Sequence, residues 1–204
     1  MKKVQVSLKN GEQLQINFSP GDIMIDCGAN IGDVSAPFAT QGATIIAYEP
    51  NAHAFSKLKN RFANYKNVIC FQAGVSNKDT KTKLFLHENS ELDPLKYSTG
   101  CSIISQKNNV NTNNSVDIEL VDLSRIIKKI NNSNSKGVHI LKIDIEGAEC
   151  DLVEKLMDED LLRDIPYVFV ETHEKKIPSL VEKTKSMISR AQELKLNNIN
   201  FNWI

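Results

Sequence analysis

Several features that would assign this chain of 204 residues to a familiar class are missing or scarce. It has four cysteines, Cys27, Cys70, Cys101 and Cys150, and no two of them form a CxxC pair. This spacing argues against a zinc site and against a disulfide framework. The apolar runs are all shorter than the ~20 residues that span a bilayer, so we predict no membrane span.

An excess of one charge is also missing. Lys and Arg total 25, Asp and Glu total 25, and the formal net charge is +0. Such a balance gives no field towards nucleic acid, and we expect a small-molecule or glycan substrate instead. The N-terminus turns polar too early for a signal peptide, so we expect a cytoplasmic protein. The length favours a single domain over residues 1–204.

What the sequence does contain is a succession of short apolar segments. Residues 1–19 alternate apolar and polar side chains around Asn10-Gly11, which predicts a β-hairpin that packs against a larger sheet. The later segments are rich in β-branched residues, as in strands covered on both faces. These predicted strands are residues 23–25, 44–48, 68–71, 140–143 and 167–170.

Segments with helical spacing of apolar residues lie between these strands. They comprise residues 33–41, with Pro37 near the start, and residues 52–65, 149–162 and 180–196. The alternation predicts an α/β fold with a Rossmann-like, doubly wound and mostly parallel sheet.

Three polar or terminal stretches lie outside this alternation. Residues 87–115 are polar and rich in asparagine, which predicts a long, partly mobile loop. Residues 131–135 resemble a surface connector, and residues 200–204 have the pattern of a single final strand.

The first two predicted parallel strands end in residues that suit a nucleoside cofactor. Asp26 is followed by Gly28, Asn30 and Gly32, and glycines allow both a sharp turn and the close approach of a ligand. Glu49 ends the next strand, where a carboxylate can accept hydrogen bonds from both hydroxyls of a ribose. The glycines by themselves are also compatible with a tight turn that binds no ligand.

The nature of that cofactor follows from charge. The GxGxxG loop of a dinucleotide site is missing, and a carboxylate at Asp26 would repel a pyrophosphate. The same carboxylate suits the ammonium and sulfonium charges of S-adenosylmethionine. We therefore predict S-adenosylmethionine as cofactor, and we add Asn51 and Gly74 to the predicted cofactor-binding set.

Two later strand ends carry groups for chemistry. The segment 142–149 contains Asp144, Glu146 and Glu149, and Lys142 can neutralise one of these carboxylates. His173 follows the strand at 167–170, where a histidine can act as a general base near neutral pH. A surface histidine in a polar turn is the plainer alternative.

At this point the residues resemble the FkbM-type family of class I S-adenosylmethionine-dependent methyltransferases. The resemblance extends from about residue 22 to residue 173 and rests on segments 26–32, 47–51, 142–149 and 171–173. Segment 99–103, which includes Ser102, is similar more weakly. The resemblance implies a class I methyltransferase fold and methylation of a hydroxyl on a sugar or natural product.

We expect the acceptor hydroxyl to be activated by His173 or Asp144, because an alcohol is a weak nucleophile. Glu146, Glu171 and Ser102 are the predicted acceptor-binding residues, and residues 87–115 are the predicted lid. The prediction includes no metal. In one alternative, a hard cation binds Asp144, Glu146, Glu171 and His173.

Two other functions stay open. One is a non-catalytic partner domain that binds S-adenosylmethionine, and the other is a nicotinamide-dependent oxidoreductase. The identity of the acceptor and the oligomeric state do not follow from the sequence.

Overall fold

The structure is a computed structural model that describes residues 1–133 and 136–203. In chain order, the strands are β1 (Lys2–Ser7), β2 (Gln13–Phe18), β3 (Ile23–Cys27), β4 (Thr44–Tyr48), β5 (Val68–Phe71), β6 (Gly74–Ser76), β7 (Thr80–His87), β8 (Val110–Asp122), β9 (Val138–Ile143), β10 (Tyr167–Val170) and β11 (Ile199–Asn200). The α-helices are α1 (Ala36–Thr40), α2 (Ala52–Arg61), α3 (Leu123–Ser133), α4 (Glu149–Asp158) and α5 (Val181–Glu193).

A central sheet of six parallel strands organises the molecule, with the order β11-β10-β9-β3-β4-β5. This confirms the predicted doubly wound α/β fold, and β4, β5 and β10 have the predicted bounds. The chain proceeds outward from β3 in one direction and from β9 in the other. The boundary between β3 and β9 is therefore the topological switch point, where open α/β sheets bind their ligands.

Alternate residues of each strand point to opposite faces of the sheet, and helices or the hairpin cover both faces of the inner strands. On one face, Ile25, Leu141 and Val168 pack against α3, α4 and α5. On the other, Met24 and Ile140 pack against α1, α2 and the hairpin. Burial on both sides explains why these strands appear as apolar runs in the sequence.

The N-terminal hairpin is confirmed and covers one sheet face together with α1 and α2. Strands β1 and β2 are antiparallel, and Gly11 has φ 84° in the connecting turn. Ile16 and Phe18 of β2 belong to the core on this face. Pro37 lies in the first turn of α1, where a missing N–H is tolerated.

The predicted loop over residues 87–115 is too long. Residues 110–115 begin β8, which pairs antiparallel with β7 and parallel with β6 in a second, three-stranded sheet. This strand was not predicted because its sequence is rich in asparagine. The solvent-facing side of an antiparallel strand needs no apolar residues, so the apolar pattern of a strand is weak here. The irregular connection is therefore residues 88–109, with a short 3-10 turn at Ser98–Gly100.

The last strand also differs from its prediction. It is β11, which lies parallel to β10 at the sheet edge, and Trp203 then forms an isolated antiparallel bridge with Leu8 of the hairpin. The predicted connector at residues 131–135 is helical in its first part, because residues 131–133 complete α3. Asn134 and Ser135 of the connector, and Ile204 of the predicted final strand, lie outside the described residues. No helix in the described part of the chain is long and apolar enough to cross a membrane.

Candidate active site

A cavity of about 680 Å³ lies at the carboxyl edge of the central sheet. Residues after β3, β4 and β9 form its polar side, because the carboxyl ends of parallel strands meet at one edge. The three-stranded sheet supplies an apolar wall that includes Leu84, Ile118 and Leu120.

The loop after β3 lies directly against this cavity. Gly28 and Asn30 line it, and both have positive φ angles of 77° and 48°. A Cβ on Gly28 would lie 1.8 Å from the backbone oxygen of Asp144, so only glycine fits between the two strand ends. Gly32 is different, since it packs against Leu58 and Phe62 of the helical layer and does not belong to the cavity lining.

Glu49 lies in the cavity wall with both carboxylate oxygens fixed. Its Oε2 accepts a hydrogen bond from the Asn30 amide at 2.8 Å, and its Oε1 accepts one from the Asn51 amide at 2.7 Å. Burial raises the pKa of Glu49 to about 7, although these hydrogen bonds oppose the shift. Each oxygen has a further lone pair that can accept a ligand hydroxyl.

Asn51 and Gly74 also line the cavity, as predicted for the cofactor set. The Asn51 side chain caps α2 by accepting hydrogen bonds from the amides of His53 and Ala54. A Cβ on Gly74 would lie 2.5 Å from Leu120, so this glycine lets the two sheets approach each other.

Asp26 does not face the cavity, in contrast to its predicted position. Strand β3 continues one residue past Asp26, and the side chain is fully buried below the loop. It accepts a hydrogen bond from the Ser35 hydroxyl and pairs with Lys142 at 3.1 Å. Its carboxylate therefore stabilises the loop from within the fold and does not contact a ligand in the cavity.

Lys142 is the predicted neutraliser of the acidic segment, and its contacts confirm this role. Its Nζ lies 3.1 Å from Asp26 and 3.4 Å from Asp144, and it donates a hydrogen bond to the Gly28 carbonyl at 2.5 Å. Burial lowers the pKa of Lys142, but Asp26 and Asp144 outweigh that effect and raise it overall. The buried ammonium is therefore charged and links β3 to β9.

The turn after β9 brings Asp144 and Glu146 into the cavity lining. Glu146 has a φ of 59°, which is a strained conformation for a residue with a Cβ. The turn is held by the Ser102 hydroxyl, which donates to the Glu146 carbonyl at 2.6 Å, and by Glu149, which accepts from the Gly147 amide at 3.0 Å. Glu149 thus has the predicted place in the first turn of α4.

His173 lies behind these carboxylates and is almost completely buried. Its Nε2 is 3.2 Å from Glu146, 3.8 Å from Asp144 and 3.9 Å from Glu171. Its Nδ1 is 3.0 Å from Glu149. The structure therefore brings together both predicted catalytic residues, together with Glu146 and Glu171.

The charge state of His173 matters for its predicted role as a base. Burial lowers its pKa, but the carboxylates of Glu146 and Glu149 outweigh that effect and raise the pKa to about 10. The ring therefore carries a proton at neutral pH and cannot accept another. Asp144, which lines the cavity directly, is better placed to accept a proton from a bound molecule.

The connection at residues 88–109 closes over the cavity through polar contacts. Asn30 donates a side-chain hydrogen bond to the Ser98 hydroxyl at 2.9 Å. Lys107 is fully buried, and its Nζ contacts Glu146 at 2.5 Å and the Gly100 carbonyl at 2.9 Å. The predicted acceptor-binding residue Ser102 lines the cavity from this connection.

Sequence reasoning missed Lys107, Ser98 and the apolar wall. The wall had a usable signal, because residues 116–120 alternate apolar and polar side chains as a strand does. Lys107 had none, since a single lysine in a polar segment is normally exposed to solvent.

Comparison with known proteins agrees with this geometry. Residues 26–194 match the family model described as "Methyltransferase FkbM domain". The chain is also similar to "Methyltransferase 1" of Beauveria bassiana (strain ARSEF 2860), with 26% identity over 154 residues. That alignment covers 70% of this chain and 61% of the relative, so the chain matches about three fifths of the relative's length.

Proposed function

Because the chain belongs to the FkbM methyltransferase domain family, we propose that it transfers a methyl group from S-adenosylmethionine to a hydroxyl of a sugar, glycan or natural product. The observation that carries this proposal is the position of Glu49. Its carboxylate faces the cavity at the switch-point edge of the sheet, next to the tight loop at Gly28 and Asn30.

The cavity fits the cofactor part by part. The two oxygens of Glu49 can accept the ribose hydroxyls, while Gly74 and Leu120 offer an apolar surface for the adenine. Gly28 and Asn30 lie where the amino-acid part would pass. The acidic edge formed by Asp144 and Glu146 suits the positive charges of the ammonium and sulfonium groups.

When bound, S-adenosylmethionine would supply an electrophilic methyl group for transfer to the acceptor oxygen and would leave as S-adenosylhomocysteine. Asp144 activates that hydroxyl by accepting its proton. Glu146 and Glu171 orient the acceptor, and the connection at 88–109 excludes water. Positioning of the three reacting atoms in line is a large part of such catalysis.

Methyl transfer from labelled S-adenosylmethionine to a panel of sugars and phenolic natural products tests this proposal. We expect Asp144→Asn to lower kcat by about 10²-fold or more, within the usual range for loss of a general base. Affinity for S-adenosylhomocysteine should fall less than kcat does, because only the attraction of Asp144 for the ammonium group is lost. Glu119→Gln, at an exposed surface pair, serves as a matched control. Near-normal turnover in both Asp144→Asn and His173→Gln would contradict the assignment of this edge to catalysis.

A non-catalytic cofactor-binding domain is the second candidate. The observation that favours it is that the chain matches about three fifths of its fungal relative, so other segments of a larger protein could carry the acceptor site. It predicts that the protein binds S-adenosylhomocysteine but transfers no methyl group to any member of the panel.

A further inference from the structure

We propose that Asp144, Glu146 and His173 form a binding site for one divalent cation of the Mg²⁺ or Mn²⁺ type. Ligand atoms of these three residues all lie within 4.8 Å of one another. The proposal that this cation orients the acceptor rests on the proposed function, whereas cation binding itself does not.

The spacing of the ligand atoms matches a small cation at Glu146 and is looser at Asp144 and Glu171. Atoms bound to an octahedral ion at about 2.1 Å lie about 3.0 Å apart when adjacent and about 4.2 Å apart when opposite. The Nε2 of His173 lies 3.2 Å from Glu146 and 3.8 Å from Asp144. The Oε1 of Glu171 lies 3.9 Å away and can contribute a fourth ligand.

An independent observation comes from the hydrogen bonds. The His173 side chain is only 1% exposed, and its Nε2 and Nδ1 lie 3.2 Å from Glu146 and 3.0 Å from Glu149 without a well-directed hydrogen bond to either carboxylate. The Oδ1 of Asp144 is likewise buried without such a partner in the described part of the chain. Buried polar atoms are normally satisfied, so atoms that converge in this way point to a ligand between them.

The surroundings of His173 also resemble those of a metal-binding histidine. Its second nitrogen, Nδ1, lies 3.0 Å from Glu149. Glu149 is itself fixed, because it accepts hydrogen bonds from the amides of Ile145 and Gly147. A carboxylate that holds the far side of the imidazole is the usual way to orient a histidine towards a metal.

Around His173, the carboxylates outnumber the positively charged side chains, which favours an added cation. The carboxylates around the ring are those of Asp144, Glu146, Glu149 and Glu171. The neighbouring positive charges are His173 itself, Lys107 beside Glu146, and Lys142, which Asp144 shares with Asp26. A divalent ion would replace the proton on Nε2 and balance the remaining carboxylates.

The position of the site suggests what the cation does. Asp144 and Glu146 line the cavity, and His173 lies behind them, so the ion would lie in the cavity wall. Asp144 offers Oδ1 to the ion, and its Oδ2, which lies 3.4 Å from the Lys142 Nζ, has a further lone pair for the acceptor hydroxyl. A cation here can bind two neighbouring oxygens at once, so we infer an acceptor with a vicinal diol, as in a sugar.

Titration of the chelator-stripped full chain with MnCl₂, followed by electron paramagnetic resonance of free Mn²⁺, tests the site. We expect one tightly held Mn²⁺ per chain. Asp144→Asn and His173→Gln should each weaken binding at least about tenfold, and Glu149→Gln should weaken it by about 10- to 100-fold through the orientation of His173. Glu119→Gln should bind as the unchanged protein does.

Failure of this proposal is distinguishable from failure of the proposed function. Circular dichroism and calorimetry with S-adenosylhomocysteine show whether each variant is folded and binds cofactor, and Glu171→Gln provides a less buried alternative. Absence of Mn²⁺ binding, or binding that Asp144→Asn and His173→Gln leave unchanged, would overturn the cation site even if methyl transfer occurs. Turnover that EDTA abolishes and Mn²⁺ restores would support the acceptor role, and turnover unaffected by EDTA would overturn that role.

Discussion

Individual residues differ in how far the sequence could place them. Glu49, Gly28, Asn30 and Asp144 line the cavity as predicted, because each lies directly after a buried strand or in the loop that follows it, and parallel strands end at one edge. Asp26 was misplaced because β3 extends one residue beyond it. Because β3 continues to Cys27, the Asp26 side chain lies within the sheet layer and does not face the cavity.

Gly32 illustrates a residue whose role is packing. It has φ 85°, and an added Cβ would lie 2.5 Å from Phe62 and 2.9 Å from Leu58. We expect Gly32→Ala to lower the free energy of unfolding by about 3 kcal/mol, from backbone strain together with overpacking. Chemical denaturation measures this change.

Gly21 offers a matched control, since its φ is 86° and a Cβ there would meet nothing within 4 Å. Gly21→Ala should therefore show the strain alone, at about 1 kcal/mol. Equal destabilisation by the two substitutions would show that the contact with α2 contributes nothing.

We predict that Glu49 makes binding of the proposed cofactor depend on pH. Its pKa is raised to about 7, chiefly by burial, and the carboxylate is the form that accepts two ribose hydroxyls. As pH falls from 8 to 6 through this pKa, the ionised fraction drops about tenfold. We expect the affinity for S-adenosylhomocysteine to fall by up to the same factor, as measured by calorimetry.

Glu49→Gln supplies the control for this dependence, because an amide does not ionise. Its affinity should be lower at pH 8 and nearly constant down to pH 6. A wild-type affinity that does not change over this range would argue against a ribose contact at Glu49.

At the scale of elements, the connection at residues 88–109 holds the site closed. The hydrogen bond from Asn30 to the Ser98 hydroxyl joins it to the cofactor loop, and Lys107 joins it to the turn after β9. We expect Ser98→Ala to weaken binding of S-adenosylhomocysteine about three- to tenfold, since one such hydrogen bond contributes about 1 kcal/mol. Stopped-flow measurement should show the loss mainly as faster dissociation.

A serine outside this connection gives the comparison. Ser133→Ala removes a hydroxyl at the exposed end of α3 and should leave dissociation unchanged. If Ser98→Ala behaves in the same way, the connection does not act as a lid for the cofactor.

The elements that the sequence predicted share one physical property. Strands β3, β4, β9 and β10 lie inside the parallel sheet. These four and the edge strand β5 have short apolar runs, which single-sequence reasoning detects. Strand β8 carries polar residues on its exposed side, and its pairing with β7 depends on contacts far apart in the sequence. Helix α3 was missed as well, because it follows β8 without a break.

At the scale of the whole molecule, topology explains why separate motifs form one site. The sheet order places β3 beside β9, so the loop after β3 and the turn after β9 meet at the switch point. The sequence predicts this meeting from the parallel sheet alone. The contacts of residues 88–109 and the burial of Lys107 required the three-dimensional structure, because they join residues that no local pattern relates.

The central claim is that this switch-point cavity binds S-adenosylmethionine through Glu49. Isothermal titration of the full chain with S-adenosylhomocysteine and, separately, with NAD tests it most directly. The account predicts binding of one S-adenosylhomocysteine per chain, weakened at least about tenfold by Glu49→Gln because two charge-assisted hydrogen bonds are lost, and no binding of NAD. Binding of NAD without S-adenosylhomocysteine, or S-adenosylhomocysteine binding that Glu49→Gln leaves unchanged, would contradict it.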